Sequence, residues 1–185
     1  MPLNGKGDGK EIMKKIFIAC VCFAVLGLGG CGADGANTLR IEQREISIPS
    51  EISVVTSLED RQSTFMKDDM VCGGIRFYEV TGDRLTSVES LLSDRDQFDT
   101  SMDKKQFLWE ITADEDLKNA DPFFMSSSSF GAIYEVTYKN AEGEETTHYY
   151  FIASDTGFYD VFSVDSRMQE GTKTKILEQF RSQDE

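Results

Sequence analysis

Histidine is almost missing from this chain: His148 is the only one among 185 residues. A zinc site built on it would have to take its other ligands from carboxylates and Cys72, a poor set for that ion. No Gly-rich phosphate loop, Gly-x-Ser-x-Gly elbow or Cys-x-x-Cys pair occurs, so the short motifs of nucleotide binding, α/β-hydrolase chemistry and thiol redox work are absent. Positive charge is scarce as well, with 19 Lys and Arg against 33 Asp and Glu and a net charge of −14 at pH 7. So acidic a chain repels nucleic-acid phosphates and anionic headgroups, which excludes a DNA- or RNA-binding role. Nor is there an apolar run of the ~20 residues that a membrane-spanning helix needs. The run from Ile16 to Leu28 has 13.

That short run is nevertheless the most informative stretch present. Lys14 and Lys15 precede it, and Gly27, Leu28, Gly29, Gly30 and Cys31 close it. A cationic start, a short apolar middle and a small-residue end are the order of a secretory signal peptide. Leu28-Gly29-Gly30-Cys31 resembles the lipobox of bacterial lipoproteins, an aliphatic residue and two small ones before cysteine. The resemblance implies cleavage before Cys31, which becomes a diacylglyceryl cysteine and the new N-terminus. Two acyl chains, at ~0.8 kcal/mol per buried CH₂, make a stable anchor where one does not. Palmitate-type lipidation, a membrane partner and an outward-facing location at the cytoplasmic membrane follow from the same resemblance. Gly32 is not the aspartate that retains lipoproteins at the inner membrane of two-membrane cells, so in such a cell an outer-membrane destination is implied. Asp8 and Glu11 would stand before the lysines, and translation is therefore expected to begin at Met13.

Residues 1–30 hold four of the basic and two of the acidic residues, so the remaining 155 carry −16. On this reading Cys20 and Cys22 are removed and Cys31 is acylated, which leaves Cys72 alone and no intramolecular disulfide. Residues 31–38 read as the lipidated cysteine and a flexible tether, small and polar. Residues 39–185 read as a single globular domain of ordinary size.

Within that domain, residues 44–48 alternate, Pro49-Ser50 breaks the pattern, and residues 52–55 are β-branched, which predicts two short strands. Residues 59–69 are polar and read as loop. Residues 75–80 predict a strand, residues 86–93 a helix with a Thr86/Glu89 capping box, and residues 106–112 (QFLWEIT) another strand. Asn140 to Gly143 reads as a four-residue hairpin loop that sets Lys139 opposite Glu144, Thr137 opposite Thr146, Glu135 opposite His148 and Tyr134 opposite Tyr149. A second turn at Asp155-Thr156 sets Tyr149 opposite Phe162 and Phe151 opposite Asp160. Ile176, Leu177 and Phe180 share one face of a C-terminal helix over 172–181.

Each candidate for chemistry has a plainer reading. Ser101-x-x-Lys104 matches a penicillin-recognising pattern, but that pattern's Ser-Asp-Asn and Lys-Thr-Gly companions are missing. Asp94, Asp96, Asp99 and Asp103 suggest calcium, yet an EF-hand loop needs glycine where Asp99 stands. Cys72 and His148 could pair as nucleophile and base, while the register gives His148 a solvent-side carboxylate instead. Asp160 is placed on an apolar face; it is either a buried functional carboxylate or, as favoured, a water-exposed edge residue or a partner of Arg167.

The expected fold is α+β, an antiparallel sheet of about five to seven strands with a C-terminal helix packed on it. The favoured function is a non-enzymatic, lipid-anchored domain that binds an envelope protein, a peptide or a small ligand. Tyr150, Tyr159 and Ile152 are its candidate binding surface. The alternative is a cell-envelope hydrolase using Ser101/Lys104 or Cys72/His148. No cofactor and no metal are expected.

Overall fold

The computed structural model describes residues 37–59, 61–81, 103–154 and 157–181. In chain order the elements are β1 (Asn37–Ile41), β2 (Arg44–Ile48), β3 (Ser53–Ser57), β4 (Gln62–Lys67), β5 (Met70–Glu79), α1 (Lys104–Thr112), α2 (Glu115–Asn119), β6 (Phe124–Ser126), β7 (Tyr134–Lys139), β8 (Glu145–Ser154), β9 (Gly157–Val164) and α3 (Glu170–Leu177). The fold is α+β. Seven strands form one antiparallel sheet in the order β3-β4-β5-β9-β8-β7-β6, and β1-β2 is a separate hairpin.

Both faces of the large sheet are covered. On one, α1 and α2 bring Phe107, Leu108, Ile111 and Leu117 against Val136, Tyr138, Tyr150 and Phe158. On the other, the β1-β2 hairpin and α3 bring Ile46, Ile48, Ile176, Leu177 and Phe180 against Phe65, Ile75, Phe151 and Val161. The C-terminal helix is thus packed on the sheet as expected. The central strand β9 is buried along its whole length, as a strand covered on both sides must be.

Several local expectations are corrected. Residues 106–112 belong to α1, not to a strand. The Asp103 carboxylate accepts from the Gln106 amide at 3.1 Å and caps the helix, and Phe107, Leu108 and Ile111 then fall on one buried face. A strand would have sent Phe107 and Leu108 to opposite sides. Residues 62–67, read as loop, form β4. Their polar side chains bond along the sheet instead of into water: Ser63 with Thr56 at 3.1 Å and Gln62 with Thr64 at 3.0 Å. The helix expected over 86–93 lies outside the described residues.

The hairpin register is one residue away from the expected one. Lys139 stands opposite Glu145, Thr137 opposite Thr147, Val136 opposite His148 and Tyr134 opposite Tyr150. The cause is Gly143, at φ +80°. It follows a turn closed by Gly143 N–H donating to Asn140 O at 2.9 Å, and the Asn140 amide in turn donates to Glu144 O. That is a three-residue loop with a glycine bulge, not a four-residue one. On the far side the expected register survives only beside the turn, where Ser154 faces Gly157. A bulge between Ile152 and Ser154 then shifts the ladder by one, so that Tyr149 faces Val161, Phe151 faces Tyr159, Tyr150 faces Asp160 and His148 faces Phe162.

Candidate functional site

The shifted register gathers the polar groups of the central strands under the α1-α2 layer. His148, on β8, is 4% exposed, and Asp160, on β9, is fully buried. The imidazole Nδ1 lies 3.0 and 3.1 Å from the two Asp160 oxygens. A carboxylate only accepts, so Nδ1 carries the hydrogen, and the histidine is either the Nδ1–H tautomer or the imidazolium. His148 does not meet Glu135 in solvent, and Asp160 neither sits at a wet edge nor pairs with Arg167. That arginine bonds Glu144 at 2.6 Å instead.

Aromatic rings hold the imidazole flat. Tyr138 stacks on it at 4.8 Å between centroids, and Phe162 at 5.5 Å, with interplanar angles of 16° and 18°. Arg76, on β5, lays its guanidinium 4.6 Å over Phe162. A ladder Arg76–Phe162–His148–Tyr138 therefore crosses four adjacent strands. It needs Gly74, the residue opposite Phe162, because a Cβ there would lie 2.7 Å from the ring and 2.6 Å from Ser63 O.

Arg76 is also opposite Asp160 in the β5-β9 register. Its Nη1 is 3.6 Å from Asp114 Oδ2, and its Nε donates to Gln62 at 3.1 Å. Burial alone would lower the guanidinium's pKa, but Tyr78, Asp160 and Asp114 outweigh it and raise it, so Arg76 is held charged. Asp114 does double duty. Its Oδ1 caps α2 by accepting from the amides of Asp116 and Leu117, and its Oδ2 accepts from the Tyr138 hydroxyl at 3.0 Å. The seam thus bolts the helix layer to the sheet. Buried charges are tolerated only when so partnered. The hydroxyls of Tyr78, Tyr138 and Tyr150 are all raised, first by burial and then by nearby Asp160 or Asp114. Those of Tyr138 and Tyr78 act as hydrogen-bonding alcohols, toward Asp114 and Arg76, and not as bases. The Tyr150 hydroxyl and the Trp109 indole N–H are buried without a partner among the described residues.

The remaining candidates separate. Tyr150 and Tyr159 are buried, and on opposite faces. Tyr150 and Ile152 lie under α1-α2, and Tyr159 lies under α3 and the β1-β2 hairpin. The expected exposed surface of Tyr150, Tyr159 and Ile152 is therefore corrected, because both faces of the sheet carry a covering layer. Cys72 is buried in the cluster beneath α3, with its Sγ 3.4 Å from Phe65 O, and burial raises its thiol pKa. It lies on the other face of the sheet from His148, so the two form no nucleophile–base pair. Lys104 opens α1, Asp103 caps it, and Ser101, Asp94, Asp96, Asp99 and Cys31 lie outside the described residues. Among the described residues no group of three or more His, Cys, Asp or Glu stands close enough to hold a metal. A cavity beneath α3, lined by Phe65, Tyr149, Phe162, Met168 and Lys173 among others, measures about 10 Å³, room for one water.

Sequence reasoning missed the seam, although one signal for it was legible. Asp103 followed by Gln106, and Asp114 just before Glu115 and Asp116, are helix-start patterns. Comparison of the chain with protein-family models, with curated proteins and with solved structures finds no match.

Proposed function

We propose that the chain is a lipid-anchored extracytoplasmic protein, held to the membrane by diacylglycerol on Cys31, whose acidic domain binds a partner instead of catalysing a reaction. The observation that carries this reading is the segment Lys14 to Cys31, where two cations, 13 apolar residues and Leu-Gly-Gly-Cys follow in order. The spacing to the domain supports it. β1 begins at Asn37, six positions beyond Cys31, so the folded body starts immediately after its anchor. No helix among the described residues is long and apolar enough to cross a membrane. The binding half of the reading draws on the site geometry, in which His148, Asp160, Arg76, Asp114 and Tyr138 are partnered with one another and Cys72 stands on the opposite face from His148.

Metabolic labelling with an alkyne fatty acid tests the anchor. The wild-type chain is expected to incorporate the label and fractionate with membranes, and a Cys31→Ser variant to lose both. A Cys31→Ser variant labelled as strongly as the wild type overturns the reading.

A further inference from the structure

The tether joins the domain at one particular end of the sheet. Asn37 pairs with Ile48, and the turn from Pro49, closed by Ile52 N–H donating to Pro49 O at 3.0 Å, leads directly to Ser53. The Ser53 hydroxyl donates to Met66 O, one residue before the end of β4. Asn37 thus sits at the end of the sheet that carries the β4-β5 turn at Asp68-Asp69. Arg167 ties two further turns to the same end, donating to Val71 O at 2.9 Å and bonding Glu144. The opposite end holds the β1-β2 turn, as the Glu42–Arg61 ion pair at 3.7 Å shows, together with Leu58.

Two large apolar side chains are exposed beside the β4-β5 turn, Met70 at 50% and Val71 at 36%, while Phe124, at 62%, lies on the edge strand β6 across the sheet and Val55, at 37%, within the opposite edge strand β3. Leu58, at 87%, is exposed at the far end. Six residue steps separate Cys31 from Asn37. Even fully extended they reach no more than about 20 Å. An anchored domain cannot turn the Leu58 end to the lipid without carrying Asn37 the length of the sheet away from it. β4 alone, six residues long, spans roughly 17 Å of that length at ~3.3 Å per residue, so the inverted pose would stretch the six steps close to their full reach of about 20 Å.

From this we infer that the end bearing Met70 and Val71 faces the bilayer and rests these two side chains in the headgroup layer, with Leu58 and the β1-β2 turn pointing away. The inference rests on the anchored reading above and adds the orientation to it. The occupant is the lipid surface itself, chosen by where the tether ends and by how short it is. Lys67 and Arg167 flank the apolar pair, and Asp68, Asp69 and Glu144 outnumber them, so the surface it fits is a zwitterionic and not an anionic one.

The test uses the full chain, exported and acylated through its own leader and reconstituted into phosphatidylcholine vesicles. Met70→Cys and Leu58→Cys variants each carry an environment-sensitive fluorophore, while Cys72 is shielded by burial. With brominated acyl chains the label at position 70 is expected to shift to the blue and lose most of its emission, and the label at position 58 to keep its own. Equal quenching at both positions, stronger quenching at 58, or no quenching at 70 overturns the orientation while the anchor stands. A blue shift at position 70 in lipid-free buffer assigns that end to contact between copies and overturns the lipid contact. Failure of the wild-type chain to float with vesicles, judged beside Cys31→Ser, overturns the anchor and the orientation with it.

Discussion

An Asp160→Ala substitution strips a buried imidazole of its partner. The two Asp160 oxygens lie 3.0 and 3.1 Å from His148 Nδ1, and both residues are buried, so truncation leaves that N–H facing a void. Arg76 simultaneously loses the carboxylate opposite it and keeps Asp114 as its charged partner, with Gln62 and Tyr78 as neutral ones. Removing one member of a buried pair costs about 3–5 kcal/mol, because the surviving group stays desolvated. A domain of this kind has roughly 5–15 kcal/mol in total, so the variant should fold but melt early. At a urea slope of about 2 kcal/mol/M the midpoint should fall by roughly 2 M. Asp160→Asn keeps an acceptor for the N–H and loses only the charge, and should cost about half as much. The double variant His148→Phe/Asp160→Leu keeps the ring stacked between Tyr138 and Phe162 and removes both polar groups. The share of the loss that belongs to the stripped imidazole should return, since buried pairs replaced by packed apolar groups are often neutral or better, and the share from Arg76's missing carboxylate should remain. A midpoint for Asp160→Ala within roughly 0.3 M of wild type, the effect of an ordinary surface change, would refute the buried seam. So would a double variant that loses as much as the two single losses added together.

Alkaline titration should show the same burial from another side. Tyr78, Tyr138, Tyr149, Tyr150 and Tyr159 all have hydroxyls raised above their ordinary value, chiefly by burial, with Tyr149 pushed up to about 12. Their folded pKa lies above the unfolded one near 10, so the stability they contribute is fully present below pH 10 and lost as pH rises towards 12 and beyond. Tyrosinate absorbance should therefore stay low past pH 10 and then rise together with unfolding measured by near-ultraviolet circular dichroism, and a gradual rise in the folded protein would contradict this. Gly74→Ala should lower the melting temperature, because the new Cβ meets Ser63 O at 2.6 Å and the Phe162 ring at 2.7 Å. Overpacking of that kind costs about 1–3 kcal/mol, roughly 3–10 °C for a domain of this size, and an unchanged melting curve would show that β5 and β9 are not held this close.

The parts of the fold that were legible in the sequence are those with one dominant pattern. β2 and β3 show alternation or β-branching, β5 contains the run from Ile75 to Glu79, and α3 buries Ile176 and Leu177 with Phe180 in the turn just after it. α1 was misread because seven residues rich in aromatic and β-branched types fit both periods. Only the Asp103 cap breaks the tie, and in the sequence Asp103 looks equally like one more member of the acidic run from Asp94. The site was hidden by two small backbone events, a left-handed Gly143 and a bulge before Ser154. Each moves a ladder by one residue and exchanges the faces that meet. Neither is encoded in side-chain alternation. β8 misleads further, because Thr146, Thr147 and His148 look like a solvent edge and yet are buried. They are tolerated there because each finds a bond: Thr146 to Tyr138 O, Thr147 to Asp165 and His148 to Asp160.

On the anchored reading, an acidic body and a short tether make opposite demands, and their magnitudes decide between them. Two acyl chains already supply effectively all the membrane affinity, so contact by Met70 and Val71 has only to choose an orientation. Full burial of one such side chain is worth about 1.5–3 kcal/mol. Half of Met70 and a third of Val71 remain to be buried, which leaves roughly 1.5 kcal/mol, or about a tenfold preference for one pose. The domain's overall negative charge does not undo this, because at physiological salt its field decays over ~8 Å and the far end of the sheet lies beyond that. What the bilayer senses is local. Lys67 and Arg167 stand there against Asp68, Asp69 and Glu144, the last bonded to Arg167, so the local excess is a single negative charge among these five groups. Lipid charge should accordingly shift the pose less than the loss of the two apolar side chains, and the Leu58 end is left facing outward, where a partner would meet it.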